Sequence, residues 1–166
     1  MKVRWTFIIV IALLLGYSTF FYVSRSPLIT DDFHPEKSCD AITRKSDVLY
    51  VMPFFNNKPL TDYPEWCVQI LSLNKTLGLH GITHEYHEFL KPIQTKQLTE
   101  AIDIFEQCFG YKPTLFRPPY NKISPENEIL VHEFNMTVYD TTYILHPYCH
   151  CTPGPIMKIL NWIIAC

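Results

Sequence analysis

A run of 19 residues without a charge, from Trp5 to Val23, sets the strongest constraint on what this chain can fold into. Its length is close to the roughly 20 apolar residues with which a helix crosses about 30 Å of hydrocarbon. A secretory signal peptide has a shorter apolar region followed by small residues, whereas this run ends in bulky aromatic residues, Phe20 to Tyr22. We therefore predict an uncleaved signal anchor over residues 1–26, with a cleaved signal peptide and a buried core helix as the alternatives.

The first two of these readings place the remaining residues, 27–166, outside the cytosol. Lys2 and Arg4 precede the apolar run, and basic residues at this position favour an N-terminus that stays inside. We expect a single-pass membrane protein, held in the membrane through residues 5–23, with one extracytoplasmic domain; a secreted protein is the alternative.

The charge of this domain argues against nucleic acid as a partner. Lys2, Arg4 and Arg25 flank the apolar run, which leaves 11 basic residues against 16 acidic ones. Binding that depends on neutralising phosphates needs the opposite balance.

Cysteine usage agrees with export. The chain has an even number of cysteines: Cys39, Cys67, Cys108, Cys149, Cys151 and Cys166. Two or three disulfides are expected in an oxidising compartment, although their connectivity cannot be read from the sequence. A zinc site built from thiolates and free buried thiols are the alternatives. Two glycosylation sequons, at Asn74 and Asn135, would be used only in a host that glycosylates.

Short apolar runs alternate with helical patterns along the exported part. Strands are predicted at Asp47–Phe55, Leu77–His80, Thr114–Phe116 and Thr137–Leu145, and helices at Tyr63–Lys75, Thr95–Phe109, Pro125–Phe134 and Pro155–Ala165. This alternation predicts an α/β fold with a parallel sheet, in which active sites lie at the carboxyl ends of the strands.

Three polar motifs fall at such strand ends. Asp31 and Asp32 follow a short apolar approach, and if they lie on a strand their side chains point in different directions. His80 and His84 form an H-x3-H pair, in which Gly81 after the first histidine favours a strand end turning into a loop over a helix. Two imidazoles and a carboxylate suit a divalent metal. Taken singly, each pair also has a non-functional explanation. The two aspartates could lie in a solvated turn, and the two histidines could be structural or surface residues.

The third motif is Arg117-Pro118-Pro119-Tyr120. Consecutive prolines fix the backbone, so Arg117 and Tyr120 are expected at defined positions. Arg117 could hold a carboxylate, and the backbone N–H of Tyr120 could help to stabilise an oxyanion. An ordinary proline turn is the alternative reading.

In this order, the Asp-Asp, H-x3-H and R-P-P-Y motifs resemble those of the polysaccharide deacetylase family, of the carbohydrate esterase family 4 type, over about residues 28–120. The resemblance implies a distorted (β/α) barrel, shortened here because about 140 residues follow the membrane segment. It also implies removal of acetyl groups from a carbohydrate with the help of a divalent metal. An open barrel would expose strand edges, which a second copy of the chain could cover.

Carried over by position, the resemblance makes Asp31 the general base, oriented by Arg117, and Asp32, His80 and His84 the metal ligands. Tyr120 would contribute its backbone N–H to the oxyanion site. The late histidine that protonates the leaving group would be His146, in Leu145-His146-Pro147, with His150 as the weaker candidate. The ligand set favours Zn²⁺, while Co²⁺, Ni²⁺ and Mn²⁺ also suit it.

Two functions from different classes follow. The first is a membrane-anchored, metal-dependent carbohydrate deacetylase, favoured because Asp31, Asp32, His80 and His84 are all present. The second is a catalytically inactive carbohydrate-binding or structural relative, favoured by the shortness of the barrel. The two functions are distinguished by whether Asp32, His80 and His84 lie close enough to coordinate one metal ion.

Overall fold

The structure is a computed structural model that describes residues 2–37, 39–141, 146–151, 154–164 and 166. A long helix, α1 (Lys2–Ser24), precedes an α/β domain. The strands of the domain are β1 (Ile29–Phe33), β2 (Val48–Val51), β3 (Phe54–Phe55), β4 (Lys58–Pro59), β5 (Thr76–His80), β6 (Leu115–Arg117), β7 (Thr137–Val138) and β8 (Cys149–His150). Its helices are α2 (Asp40–Thr43), α3 (Pro64–Ser72), α4 (Thr95–Phe109), α5 (Pro125–Glu133) and α6 (Pro155–Ile163).

Six strands form one parallel sheet in the order β7-β6-β5-β2-β1-β8, while β3 and β4 form a separate antiparallel pair. Strands in the middle of a parallel sheet are covered on both faces, and all four residues of β2 are buried accordingly. The predicted parallel α/β fold is confirmed. Among the described residues no pairing joins β7 to β8, so the shortened barrel has the form of an open sheet.

Helix α4 shows how the sequence builds the core. The side chain of Gln97 accepts a hydrogen bond from the backbone N–H of Gln94, which closes a capping box, and the helix ends at Gly110 with φ of 79°. Its apolar face buries Leu98, Ile102 and Phe105 against the sheet and α3. Both ends of this helix are where the sequence predicts them.

Two predicted strands are shorter in the structure. The run Asp47–Phe55 divides into β2 and β3, because Pro53 cannot donate to a sheet ladder and Asn56 and Asn57 turn the chain at positive φ. The predicted strand Thr137–Leu145 is strand only at β7, and residues 142–145 lie outside the described part of the chain.

All six cysteines form disulfides: Cys39–Cys151, Cys67–Cys108 and Cys149–Cys166. The expectation of disulfides is confirmed, and the thiolate zinc site and free thiols are not formed. The first bridge spans 112 residues and the second ties α3 to α4. Long closed loops restrict the unfolded chain most, so Cys39–Cys151 is expected to stabilise the fold more than the other two.

Helix α1 is long and apolar enough to cross a membrane. Its segment Trp5–Ser24 has a mean hydropathy of 2.1, and only 6% of it is buried against the domain. This exposure contradicts the buried core helix considered above. Both sequon asparagines, Asn74 and Asn135, are exposed on the surface of the domain.

Candidate metal centre and catalytic cleft

The carboxyl end of β1 carries two aspartates with different surroundings. The pairing of β1 with β2 shifts register between Thr30 and Phe33, and Asp32 within this irregularity has φ of 62°. Such a bulge re-aims side chains. Asp31 contacts Arg117, whereas Asp32 contacts a group of histidines.

One oxygen of Asp32 faces both residues of the H-x3-H pair. Its Oδ1 lies 3.2 Å from Nε2 of His80 and 2.7 Å from Nε2 of His84. His80 is the last residue of β5 and His84 lies in the loop that follows, as Gly81 indicates in the sequence. The ligand atoms of the three residues all lie within 4.8 Å of one another.

The hydrogen bonding of His80 shows that this set suits a cation. Its Nδ1 lies 3.0 Å from the carbonyl oxygen of Arg117, and a carbonyl only accepts, so Nδ1 carries the proton. A neutral ring then turns the lone pair of Nε2 toward Asp32. Two acceptors at that distance attract only through a proton or a cation between them. A divalent metal fits, and a backbone carbonyl behind a histidine ligand is the usual outer support.

The second oxygen of Asp32 faces two more basic groups. Nδ1 of His150 and Nζ of Lys37 each lie 3.5 Å from Oδ2. Burial alone would raise the pKa of Asp32, but its interactions with the basic side chains of His150, His80 and His84 outweigh burial and hold the pKa far below its usual range. The carboxylate is therefore ionised, as a metal ligand must be.

Arg117, the last residue of β6, is fully buried behind Asp31. Its Nε donates to Oδ2 of Asp31 at 2.7 Å, and its Nη1 donates to the carbonyl of Tyr139 at 3.2 Å. Burial alone would lower the pKa of Arg117, but the adjacent Asp31 raises it. Among the described residues, Oδ1 of Asp31 has no hydrogen-bond partner. One oxygen of this carboxylate is thus held by Arg117, while the other is buried and makes no hydrogen bond within the described part of the chain.

Tyr120 follows the two prolines in a tight turn and has φ of 59°. The turn is fixed by Asn121, whose backbone N–H donates to the carbonyl of Pro118 at 3.0 Å. The half-exposed ring of Tyr120 lies 5.3 Å from that of His84, measured between centroids.

These residues line a cleft of about 590 Å³ at the carboxyl ends of the strands. Its lining comprises Asp31, Asp32, Lys37, Phe55, His80, His84, Tyr120, Asn121, Tyr148 and His150. Sequence reasoning missed Lys37, Phe55 and Asn121. Lys37 and Phe55 reach the cleft through the segment after β1 and the β3–β4 hairpin, which carry no motif that would mark them.

The two late histidines differ in position. His150, at the end of β8, lines the cleft. His146 is buried beside it, with Nε2 3.0 Å from the carbonyl oxygen of Pro27 and its ring packed against Tyr139. Burial lowers the pKa of His146. The structure therefore brings Asp31, Asp32, His80, His84, Tyr120 and His150 to the cleft, while His146 is not among its lining residues.

Glu88 fixes the loop between His80 and His84, a role that the sequence motifs do not assign to it. Its buried carboxylate accepts hydrogen bonds from the backbone N–H groups of Ile82 and Thr83 at 3.0 and 2.8 Å. Gly81 lies directly beneath, at φ of 65°, and a Cβ there would collide with the side chains of Pro119 and Glu88.

Replacing Gly81 by alanine is expected to lower the free energy of unfolding by more than about 2 kcal/mol, because the substitution adds a steric collision to the cost of a left-handed backbone. Chemical denaturation of the full chain in detergent micelles would measure it. Gly110→Ala is the matched control: φ is 79° but no atom lies within 4 Å, so only the backbone cost of about 1 kcal/mol remains. Equal losses in both variants would contradict the packing argument.

Comparison with known families agrees with this geometry. The model of a family described as polysaccharide deacetylase matches residues 41–139, more than half of the chain. The matched range contains His80, His84 and Arg117 and begins after the two aspartates.

Among curated proteins, the chain is similar to the peptidoglycan-N-acetylmuramic acid deacetylase PdaC of Bacillus subtilis, with 37% identity over 65 residues. That match covers 39% of this chain and 14% of PdaC, so the chain corresponds to a small part of that protein.

Two solved structures share the fold. The Bc1960 peptidoglycan N-acetylglucosamine deacetylase aligns with a TM-score of 0.60 at 16% identity, covering 87% of this chain and 82% of its own. BA3943 of Bacillus anthracis, described as a CE4 family pseudoenzyme, aligns with a TM-score of 0.56 at 13% identity, covering 86% and 60%. At these identities the likeness shows the fold alone.

Proposed function

Because the chain belongs to the polysaccharide deacetylase family, we propose that it is a metal-dependent hydrolase that removes acetyl groups from a carbohydrate. Family membership supports carbohydrate deacetylation in general. The observation that carries the proposal for this chain is the convergence of Asp32, His80 and His84 beside Asp31, the proposed base, whose Oδ1 has no hydrogen-bond partner in the part of the chain that the structure describes.

Asp32, His80 and His84 would hold the metal, for which Zn²⁺ is favoured and Co²⁺, Ni²⁺ and Mn²⁺ are suitable. When bound, such an ion lowers the pKa of water and polarises a carbonyl group. The other steps, orientation of the base and transfer of protons, fall to the surrounding residues. Arg117 fixes the orientation of Asp31 and balances its charge inside the protein.

The reaction is acyl transfer to water without a covalent enzyme intermediate. Asp31 takes a proton from water as the water oxygen bonds to the acetyl carbon. The backbone N–H of Tyr120 stabilises the charge that develops on the acetyl oxygen. When the bond from the acetyl carbon to the sugar nitrogen or oxygen breaks, a histidine supplies the proton that the leaving group needs, and acetate departs.

We assign this last proton to His150, although the family resemblance gives it to His146. His150 lines the cleft, whereas Nε2 of His146 is engaged by the carbonyl of Pro27. Replacing His150 by glutamine is expected to lower kcat by about 10²-fold, because the leaving group loses its proton donor. His146→Gln, the matched variant, is expected to keep kcat within about tenfold of the wild type. The opposite outcome, with kcat lost only in His146→Gln, would return the role to His146.

An inactive relative is the second candidate function. The open sheet, and a fold shared with a pseudoenzyme, favour it. In that case the cleft would bind a carbohydrate without turning it over.

Acetate release separates the two. The full chain in detergent micelles, supplied with Zn²⁺, is assayed with an N-acetylated chitooligosaccharide and with a glycan that contains N-acetylmuramic acid. We expect acetate from at least one of them and a loss of at least about 10²-fold in His84→Ala. A folded wild-type chain that binds these glycans but releases no acetate would support the inactive relative instead.

We further propose that α1 is a signal anchor and that the domain lies outside the cytoplasm. The apolar segment Trp5–Ser24 and three disulfides support this placement.

A further inference from the structure

The outer face of α6 is apolar and exposed. Ile156, Ile159 and Trp162 are 75%, 60% and 81% exposed, and Ile163 lies beside them. Positions 156, 159 and 163 recur at helical spacing and form one stripe. The helix is held to the domain by other residues: Asn161 on the far side of the helix is buried, and so is Ile164 directly after it. The stripe itself is left uncovered by the described residues, and an exposed apolar stripe of this kind points to a further apolar neighbour.

The position of α6 indicates what that neighbour is. Ile164 packs with Phe21 of α1, with Leu28 and with Cys149 in one buried cluster. The disulfide Cys149–Cys166 closes the same junction. Phe21 lies three residues before the end of the apolar segment Trp5–Ser24. When α1 crosses a bilayer, this cluster lies at the level where the chain leaves the hydrocarbon, and α6 lies next to it.

Charges and ring chemistry around this junction suit a lipid surface. Arg25 and Lys45 line one cleft beside the end of α1 together with Asp47, which accepts a hydrogen bond from the backbone N–H of Leu28, and Lys158 is exposed on α6. Basic side chains at this level pair with lipid phosphates, and tryptophan is enriched at membrane interfaces. An exposed Trp162 between isoleucines has the amphipathic character of such an anchor.

We propose that α6 lies in the interface of the same bilayer that α1 crosses, with Ile156, Ile159, Trp162 and Ile163 at the boundary between headgroups and acyl chains. This contact depends on α1 spanning the membrane and not on deacetylation. It also positions the cleft: Asn161, on the inner face of α6, donates to the backbone carbonyl of His150 at 3.1 Å. The membrane contact therefore holds the β8 side of the cleft at a fixed height above the lipid.

Tryptophan fluorescence of the full chain in phospholipid nanodiscs tests this proposal. Trp5→Phe/Trp66→Phe leaves Trp162 as the reporter. The control adds Trp162→Phe and Val68→Trp, which moves the reporter to an exposed apolar site on α3. A third variant, Trp66→Phe/Trp162→Phe, keeps Trp5 to report on insertion of α1. Each is quenched with lipids brominated in the acyl chain and, separately, with aqueous iodide.

We expect brominated lipid to quench Trp162 at least about twofold more than the reporter at position 68, and iodide to do the reverse. If iodide quenches Trp162 as strongly as it quenches the control reporter at position 68, the proposal is overturned. So would protection from both quenchers, which would mean that protein covers the face. Failure of brominated lipid to quench Trp5 would overturn the membrane span and this contact with it, while leaving acetate release as a separate result.

Discussion

Asparagine in place of Asp31 is expected to lower the rate of acetate release by about 10²- to 10⁴-fold while the chain still binds one metal ion. The reason is geometric. Asp31 is not one of the clustered ligand residues, and its Oδ1, which has no hydrogen-bond partner among the described residues, is the oxygen that we propose takes the proton from water. An amide of the same shape accepts the hydrogen bond from Arg117 but cannot act as this base. Steady-state acetate release and metal content on the same samples measure both halves of the prediction.

The control for this variant is Asp103→Asn, which changes an exposed carboxylate on α4 outside the cleft lining. It is expected to retain metal and at least about a tenth of the activity, since general base catalysis is untouched. An Asp31→Asn chain that keeps activity within about tenfold of the wild type would contradict the role of Asp31.

Methionine in place of Arg117 is expected to lower the free energy of unfolding by about 3–5 kcal/mol, because it leaves the carboxylate of Asp31 buried without its partner. Both side chains are almost fully buried, at 0% and 4% exposure, and their ion pair joins β1 to β6 across the sheet. Removing both charges, in Asp31→Asn/Arg117→Met, is expected to cost less than the sum of the single changes by at least about 1 kcal/mol.

Denaturant unfolding of the wild type, the two single variants and the double variant gives this coupling energy directly. Additive losses would show that Asp31 and Arg117 do not stabilise the fold as a pair. Catalysis is expected to fail in all three variants, so stability and activity report different properties of the same contact.

The sequence predicts much of the fold because local signals and tertiary packing agree. Helix α4 has its periodic face, its capping box and its terminal Gly110, and its predicted bounds are the observed ones. The end of β5 is also predicted from the sequence, because Gly81 follows His80. In the structure Gly81 has φ of 65°, which a regular strand does not allow. Where Pro53 and two asparagines interrupt an apolar run, periodicity alone overestimates the length of the strand.

The residues of the site also fall into two groups, those that the sequence predicts and those that it does not. Asp31, Asp32, His80, His84 and Arg117 stand in short motifs at strand ends, and parallel topology brings strand ends together. Lys37 and Glu88 act through contacts that only tertiary structure makes: a lysine after β1 reaches Asp32, and a glutamate accepts two backbone N–H groups. Disulfide connectivity is likewise a property of the folded chain. The motif resemblance ranks His146 above His150, whereas the structure places His150 and not His146 in the cleft lining, which is a property of the folded chain.

A zinc titration of the metal-free full chain, with bound metal and acetate release measured on every sample, tests the central claim most directly. We predict that acetate release rises in proportion to bound Zn²⁺ and levels off at one ion per chain, and that His80→Ala/His84→Ala neither binds the ion tightly nor releases acetate. A folded wild-type chain whose acetate release is independent of bound metal, or that binds no metal at the cleft, would contradict it.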